Sequence, residues 1–179
     1  MSTPRRLPAL LASAAVLACA APALAPAATG TNGEAALIKA LLRSRELWAT
    51  IDVCSPADQP DYVGVRGSMP GDKHAHDRMY MSFRLQVQTS TKQWIDLASE
   101  AAPSYVYVGP GSSVRQDGQS FQLVPKTGMA ASTLRGVVDY QWRRGKKVLQ
   151  SASRDTTAAH KSVSGADPAG YSKAECVIG

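Results

Sequence analysis

Side chains that commonly carry chemistry are scarce in this chain. It holds three histidines, His74, His76 and His160, in 179 residues, too few for many metal or acid–base schemes. No Gly-x-Ser-x-Gly elbow, phosphate-binding loop or dinucleotide fingerprint occurs, which excludes the enzyme classes that announce themselves by those local signatures. Aromatic residues make up 6% of the chain and do not interleave with its basic run, so the stacking pattern of a single-strand nucleic-acid binder is missing. The apolar stretch from Leu7 to Ala20 is shorter than the roughly 20 residues that a permanent membrane helix requires.

What the N-terminus does hold is an export address. Arg5 and Arg6 supply a positive start, Leu7 to Ala20 the apolar core, and Ala25-Pro26-Ala27 a small-x-small cleavage pattern, so residues 1–28 read as a signal peptide. Val16-Leu17-Ala18-Cys19 loosely matches a lipoprotein box, with Leu17 a poor fit, and Arg5-Arg6 hints at twin-arginine export. A secreted, periplasmic or cell-envelope product is expected, with no transmembrane span after cleavage. The formal charge is +6, and loss of Arg5 and Arg6 leaves about +4 on a domain of about 150 residues.

Cys54 and Cys176 are the two cysteines behind the signal. In an oxidising compartment they are expected to form one disulfide, which removes a thiol nucleophile. Cys54 falls out of phase with Ile51 and Val53, so the bridge is expected at a strand end, clipping the C-terminal tail rather than joining two sheets through the core.

Residues 29–46 form an arm in which Leu37, Ile38, Leu41 and Leu42 recur at helical spacing, predicting a helix over Glu34 to Glu46 with Asn32 as its cap. From Leu47 the period becomes two. Met79, Met81, Phe83, Leu85 and Val87 alternate with Tyr80, Ser82, Arg84, Gln86 and Gln88, the pattern of a strand with one face in the core. Further strands are expected at 47–53, 62–68, 93–97, 105–108, 120–124, 132–143 and 146–155, separated by Pro70-Gly71, Gly109-Pro110-Gly111, Asp117-Gly118 and Gly145. Seven or eight short strands in one stapled unit predict an all-β, antiparallel two-sheet Ig-like sandwich over residues 47–179, with one short N-terminal helix and a jelly roll as the alternative.

The strings LWATIDVC, VGVRGSMPG, RMYMSFRLQ, TLRGVVDYQWRRG and GYSKAEC resemble a group of secreted bacterial single-domain Ig-like β-sandwich proteins of unassigned function. The resemblance covers most of residues 47–178. It implies fold and export only, and carries over no catalytic residue.

Three features are candidate sites. His74 and His76 sit in a run rich in aspartate and methionine, where His-x-His on an extended chain would present two imidazoles to copper or zinc; Met79 and Met81 read more simply as core. Tyr105 and Tyr107 alternate with Val106 and Val108, so one of those pairs faces away from the core and two exposed tyrosines would suit a sugar ring or a protein partner. Arg143, Arg144, Lys146 and Lys147 flank Gly145 at a hairpin tip, as a solvated turn or a patch for anionic polymer. His160 reads as an exposed imidazole in a polar loop. These features predict a non-catalytic, cofactor-free binding or structural module of the envelope or extracellular space, with envelope polysaccharide or another envelope protein as partner and no nucleic acid. The alternative is an exported metal-binding protein or a hydrolase.

Overall fold

The computed structural model describes residues 31–97, 104–125, 128 and 130–179. The expected signal peptide, Cys19 included, lies outside the described residues. Among the described residues one helix, α1 (Thr31–Arg43), precedes nine strands: β1 (Trp48–Cys54), β2 (Tyr62–Met69), β3 (Arg78–Gln88), β4 (Trp94–Asp96), β5 (Val106–Pro110), β6 (Arg115–Gln122), β7 (Ser132–Arg144), β8 (Lys147–Asp155) and β9 (Cys176–Ile178). They form two antiparallel sheets, a three-stranded one in the order β1-β2-β6 and a six-stranded one in which β3 and β7 are the central pair. β4 and β5 pair with β3, and β8 and β9 pair with β7. Among the described residues no helix is long and apolar enough to cross a membrane.

The sandwich-like core follows from the period-two patterns. Met79, Met81, Phe83 and Leu85 on β3 are buried, and Val87 packs partly exposed against them. Leu134, Val138, Tyr140 and Trp142 of β7 complete the inner face of the six-stranded sheet and meet Ala49, Ile51, Val63 and Val65 of the other sheet. Two of the largest core residues carry polar atoms, and both atoms are bonded across the core. Tyr140 Oη donates to Trp48 O at 2.6 Å, and Trp142 Nε1 donates to Pro70 O at 2.9 Å. Burial pushes the Tyr140 phenol far up, so it stays a proton donor.

β1 departs from simple alternation, since Trp48, Ala49, Thr50, Ile51 and Asp52 are all buried. Its second side is covered by the segment after β8. Thr157 N donates to Ala49 O, Lys173 N to Ile51 O and Asp167 N to Asp52 O, while Thr50 Oγ1 bonds Ser172 Oγ at 2.8 Å. The polar composition of that segment satisfies a strand rather than solvating a loop.

Cys54 and Cys176 form the expected disulfide, with Cα atoms 5.6 Å apart. Cys54 is the last residue of β1 and Cys176 opens the last strand, as expected of a clip from a strand end to the tail, but the expectation that the bridge would not join the sheets is corrected. A register shift between Ile51 and Val53 inserts a bulge into β1, which turns Cys54 back toward the core. Cys176 opens β9, which pairs with Leu134 of β7, and is itself buried. The bridge therefore joins the two sheets. Closing a loop across a separation of 122 residues constrains the unfolded chain by roughly 4–5 kcal/mol in the chain-entropy picture.

α1 begins three residues earlier than expected and ends at Arg43, so Asn32 lies inside it rather than capping it. Leu41 is buried in the core and Leu42 packs against it. Arg154 Nη2 donates to Leu42 O at 2.8 Å, satisfying a carbonyl that the helix end leaves open. β6 also differs from expectation. Asp117-Gly118 is not a turn but mid-strand, opposite Gly67 and Arg66. A side chain at Gly118 would meet the Arg66 guanidinium at 3.0 Å, so glycine here makes room for that arginine.

Candidate binding face on the outer side of the six-stranded sheet

The outer residues of β3 and β7 are polar, and their cross-strand neighbours divide them into two zones. In the zone toward the C-terminal end of β3, arginine is neutralised. Arg84 pairs with Asp139 and, at 3.3 Å, with Asp96. Arg135 pairs with Asp155 at 2.8 Å while its guanidinium lies 4.6 Å from the Trp94 ring centroid. Gln86 bonds both Asp96 and Arg135.

At the other end, where β5 joins β3, arginine meets tyrosine instead. Arg78 lies 4.4 Å from the Tyr107 centroid. Arg143 lies 4.2 Å from Tyr80 and 5.0 Å from Tyr105. Tyr80 and Tyr107 are directly paired across β3 and β5, with ring centroids 5.6 Å apart in a tilted arrangement. Gln141 steadies the cluster, accepting from Arg143 Nε at 2.7 Å and hydrogen-bonding Tyr105. Partial burial, with Asp139 nearby, raises the Tyr105 pKa, so the phenol is neutral at ordinary pH. Among the described residues Arg78 and Arg143 have no carboxylate within ion-pair distance. Each cation is oriented by π-faces worth about 0.5–1 kcal/mol apiece at exposed sites, and its charge is left unneutralised.

Of the residues singled out by sequence, Tyr105, Tyr107 and Arg143 come together here. The expected alternation at Tyr105 to Val108 is broken: Tyr107 and Val106 are both exposed, 48% and 42%, because β5 is a short edge strand with a register shift opposite Met79 and Tyr80. Lys146 and Lys147 are exposed at the adjoining β7–β8 turn. Arg144 points elsewhere and clamps Asp77 with two bonds of 2.7 Å. Arg78 and Tyr80 were missed as site residues. Their alternation with Met79 and Met81 places them on the outer face, but their partners are set by strand pairing.

His74 and His76 occupy a turn, closed by Asp77 N donating to His74 O at 3.1 Å, not the extended chain that would aim both imidazoles one way. His74 instead joins Asp72 and Asp77, whose potential ligand atoms all lie within 4.8 Å of one another. Both Asp77 oxygens already receive Arg144, so a metal ion would compete with a guanidinium. Met79 and Met81 are fully buried in the core and offer no thioether to copper.

His160 lies in a loop, as expected, but is partly buried rather than exposed. It stacks on Trp48 with centroids 4.5 Å apart, and burial lowers its pKa. Thr157 Oγ1 lies 2.7 Å from His160 Nε2. A hydroxyl against an imidazole is the geometry of a nucleophile and base, yet here Thr157 and His160 tie the covering segment to β1, through the Trp48 stack and the bond from Thr157 N to Ala49 O.

No protein-family model matches the chain, and no curated protein matches it either. What the fold and the surface define together is an antiparallel, disulfide-joined β-sandwich-like domain with a cationic, tyrosine-bearing face.

Proposed function

We propose that this protein is an exported, non-catalytic Ig-like binding module whose outer sheet face binds an anionic glycan of the cell envelope or its surroundings. The carrying observation is the contrast between the two zones of that face. Arg84 and Arg135 are neutralised by aspartates, whereas Arg78 and Arg143 rest on Tyr107, Tyr80 and Tyr105 with no carboxylate among the described residues at ion-pair distance. Tyrosine rings offer flat apolar surface to a sugar, and preoriented guanidinium groups offer paired donors to its carboxylate or phosphate. The Ig-like reading is supported by the split of strands between the sheets, with β1, β2 and β6 in one and β3, β4, β7 and β8 in the other. Export is supported by the signal-like N-terminus and by the disulfide, which persists in oxidising compartments.

The test is equilibrium binding of the mature protein to polygalacturonate, neutral dextran and single-stranded oligo(dT). Salt-sensitive binding to polygalacturonate alone is expected, with the double variant Arg78→Ala/Arg143→Ala at least tenfold weaker. Equal binding to dextran, tighter binding to oligo(dT), or an unaffected double variant would each contradict the proposal.

A further inference from the structure

A second site lies at the opposite side of β7, where α1 crosses the end of the sandwich. Two loops meet there at close quarters. Lys73 N donates to Gly111 O at 2.9 Å and Gly111 N to Asp77 O at 2.8 Å. A side chain on Gly111 would strike Asp72 Oδ1, and one on Gly71 would strike Gly111 O. Glycine at both positions lets the two backbones hold Asp72 and Asp77 beside each other.

The two carboxylates are unequally compensated. The Asp77 side chain is 1% exposed and takes both bonds of Arg144, which hold it below the usual carboxylate range. The Asp72 side chain is 5% exposed, and His74 Nδ1 lies 3.8 Å from its Oδ1. Its Oδ1 accepts the His74 backbone N–H at 2.9 Å. Burial pushes the Asp72 pKa upward, and the hydrogen-bonded, negatively charged Asp77 beside it adds to the rise.

This polar floor opens into a cavity of about 340 Å³ whose lining also includes Leu37, Ile38 and Leu41 of α1 with Trp142, Leu149 and Gln150. That is the small end of the roughly 300–1,000 Å³ range of ligand pockets. Asp72 and Asp77 make the floor a poor host for an anion, while Leu37, Ile38, Leu41, Trp142 and Leu149 offer apolar surface to a hydrocarbon or ring.

We propose that this cavity binds a small amphiphile bearing one protonated amine, the ammonium at Asp72 and the apolar body between α1 and Trp142. The site is independent of the glycan face, because its residues lie under α1 and the tyrosine cluster lies on the outer side of the sheet.

The experiment compares three probes of similar size, 2-phenylethylamine, 2-phenylethanol and 3-phenylpropanoate, by calorimetry on the mature protein at neutral pH. The amine is expected to bind saturably and at least tenfold more tightly than the alcohol or the acid. In Asp72→Asn the amine is expected to fall to the level of the alcohol, with the alcohol itself unchanged. In Leu37→Ser both are expected to weaken together. Equal affinity of amine and alcohol for the unmodified protein would overturn the proposal without reference to any variant. So would preference for the acid, absence of saturable amine binding at millimolar concentration, or an amine preference that survives Asp72→Asn.

Discussion

The inner and outer faces of β3 belong to one strand and are held by different physics. Inside, Met79, Met81, Phe83 and Leu85 touch apolar neighbours from both sheets, and their positions follow from exclusion of water. Outside, Arg78, Tyr80, Arg84 and Gln86 are positioned by cross-strand partners that bond or stack with them. The inner face is therefore expected to determine stability and the outer face recognition, and mutations that separate those readouts sharpen the contrast.

The largest expected effect lies on the inner side. Replacing both Cys54 and Cys176 with Ala unties the two sheets and is expected to lower unfolding free energy by up to about 4–5 kcal/mol, read from a denaturant midpoint shift. Phe83→Ala follows at roughly 3–5 kcal/mol, since the ring is 8% exposed and its removal leaves a cavity. If Arg84→Ala cost more than Phe83→Ala, the assignment of the two faces would be reversed. On the outer face, Tyr80→Ala is expected to cost about 1 kcal/mol or less in stability yet reduce polygalacturonate affinity by more than tenfold, the opposite ratio to Phe83→Ala. Arg84→Ala, which breaks ion pairs at the surface, is expected to cost less than about 1 kcal/mol and to leave glycan binding within about twofold.

The smallest effect tests the covered side of β1. Burial places the folded pKa of His160 below its usual 6.5, so the fold favours the neutral ring. The stability this contributes is present above pH 6.5 and is lost as pH falls through the lowered folded value. Between about pH 7 and about pH 5 the unmodified protein is expected to lose more stability than His160→Gln, by a fraction of a kcal/mol. Equal losses would place the ring in water.

Legibility from sequence tracks the same division. The bounds of β3 and the burial of Met79, Met81, Phe83 and Leu85 follow from period two, whereas Ser82 on the other face is also buried and Val87 is only partly so. The disulfide partners follow from Cys54 and Cys176 being the two cysteines beyond the signal-like segment. The bulge at β1 does not announce itself, so Cys54 takes the wrong face when phase is counted from Ile51. The stretch from Thr156 to Gly170 reads as a loop because its polar side chains match those of exposed turns, whereas its backbone N–H groups at Thr157 and Asp167 bond β1. The tyrosine cluster needs two pieces of long-range information, that β5 joins β3 and that Tyr107 comes opposite Tyr80. Composition shows neither.

The central claim is that recognition belongs to the outer end of the β3, β5 and β7 face, and titration of isotope-labelled mature protein with oligogalacturonate tests it most directly. Chemical-shift changes are predicted to concentrate on Arg78, Tyr80, Tyr105, Tyr107 and Arg143, sparing Arg84 and Arg135. Changes centred on β1, β2 and β6, or on the Arg84 and Arg135 zone, would contradict it, as would a spectrum that does not change.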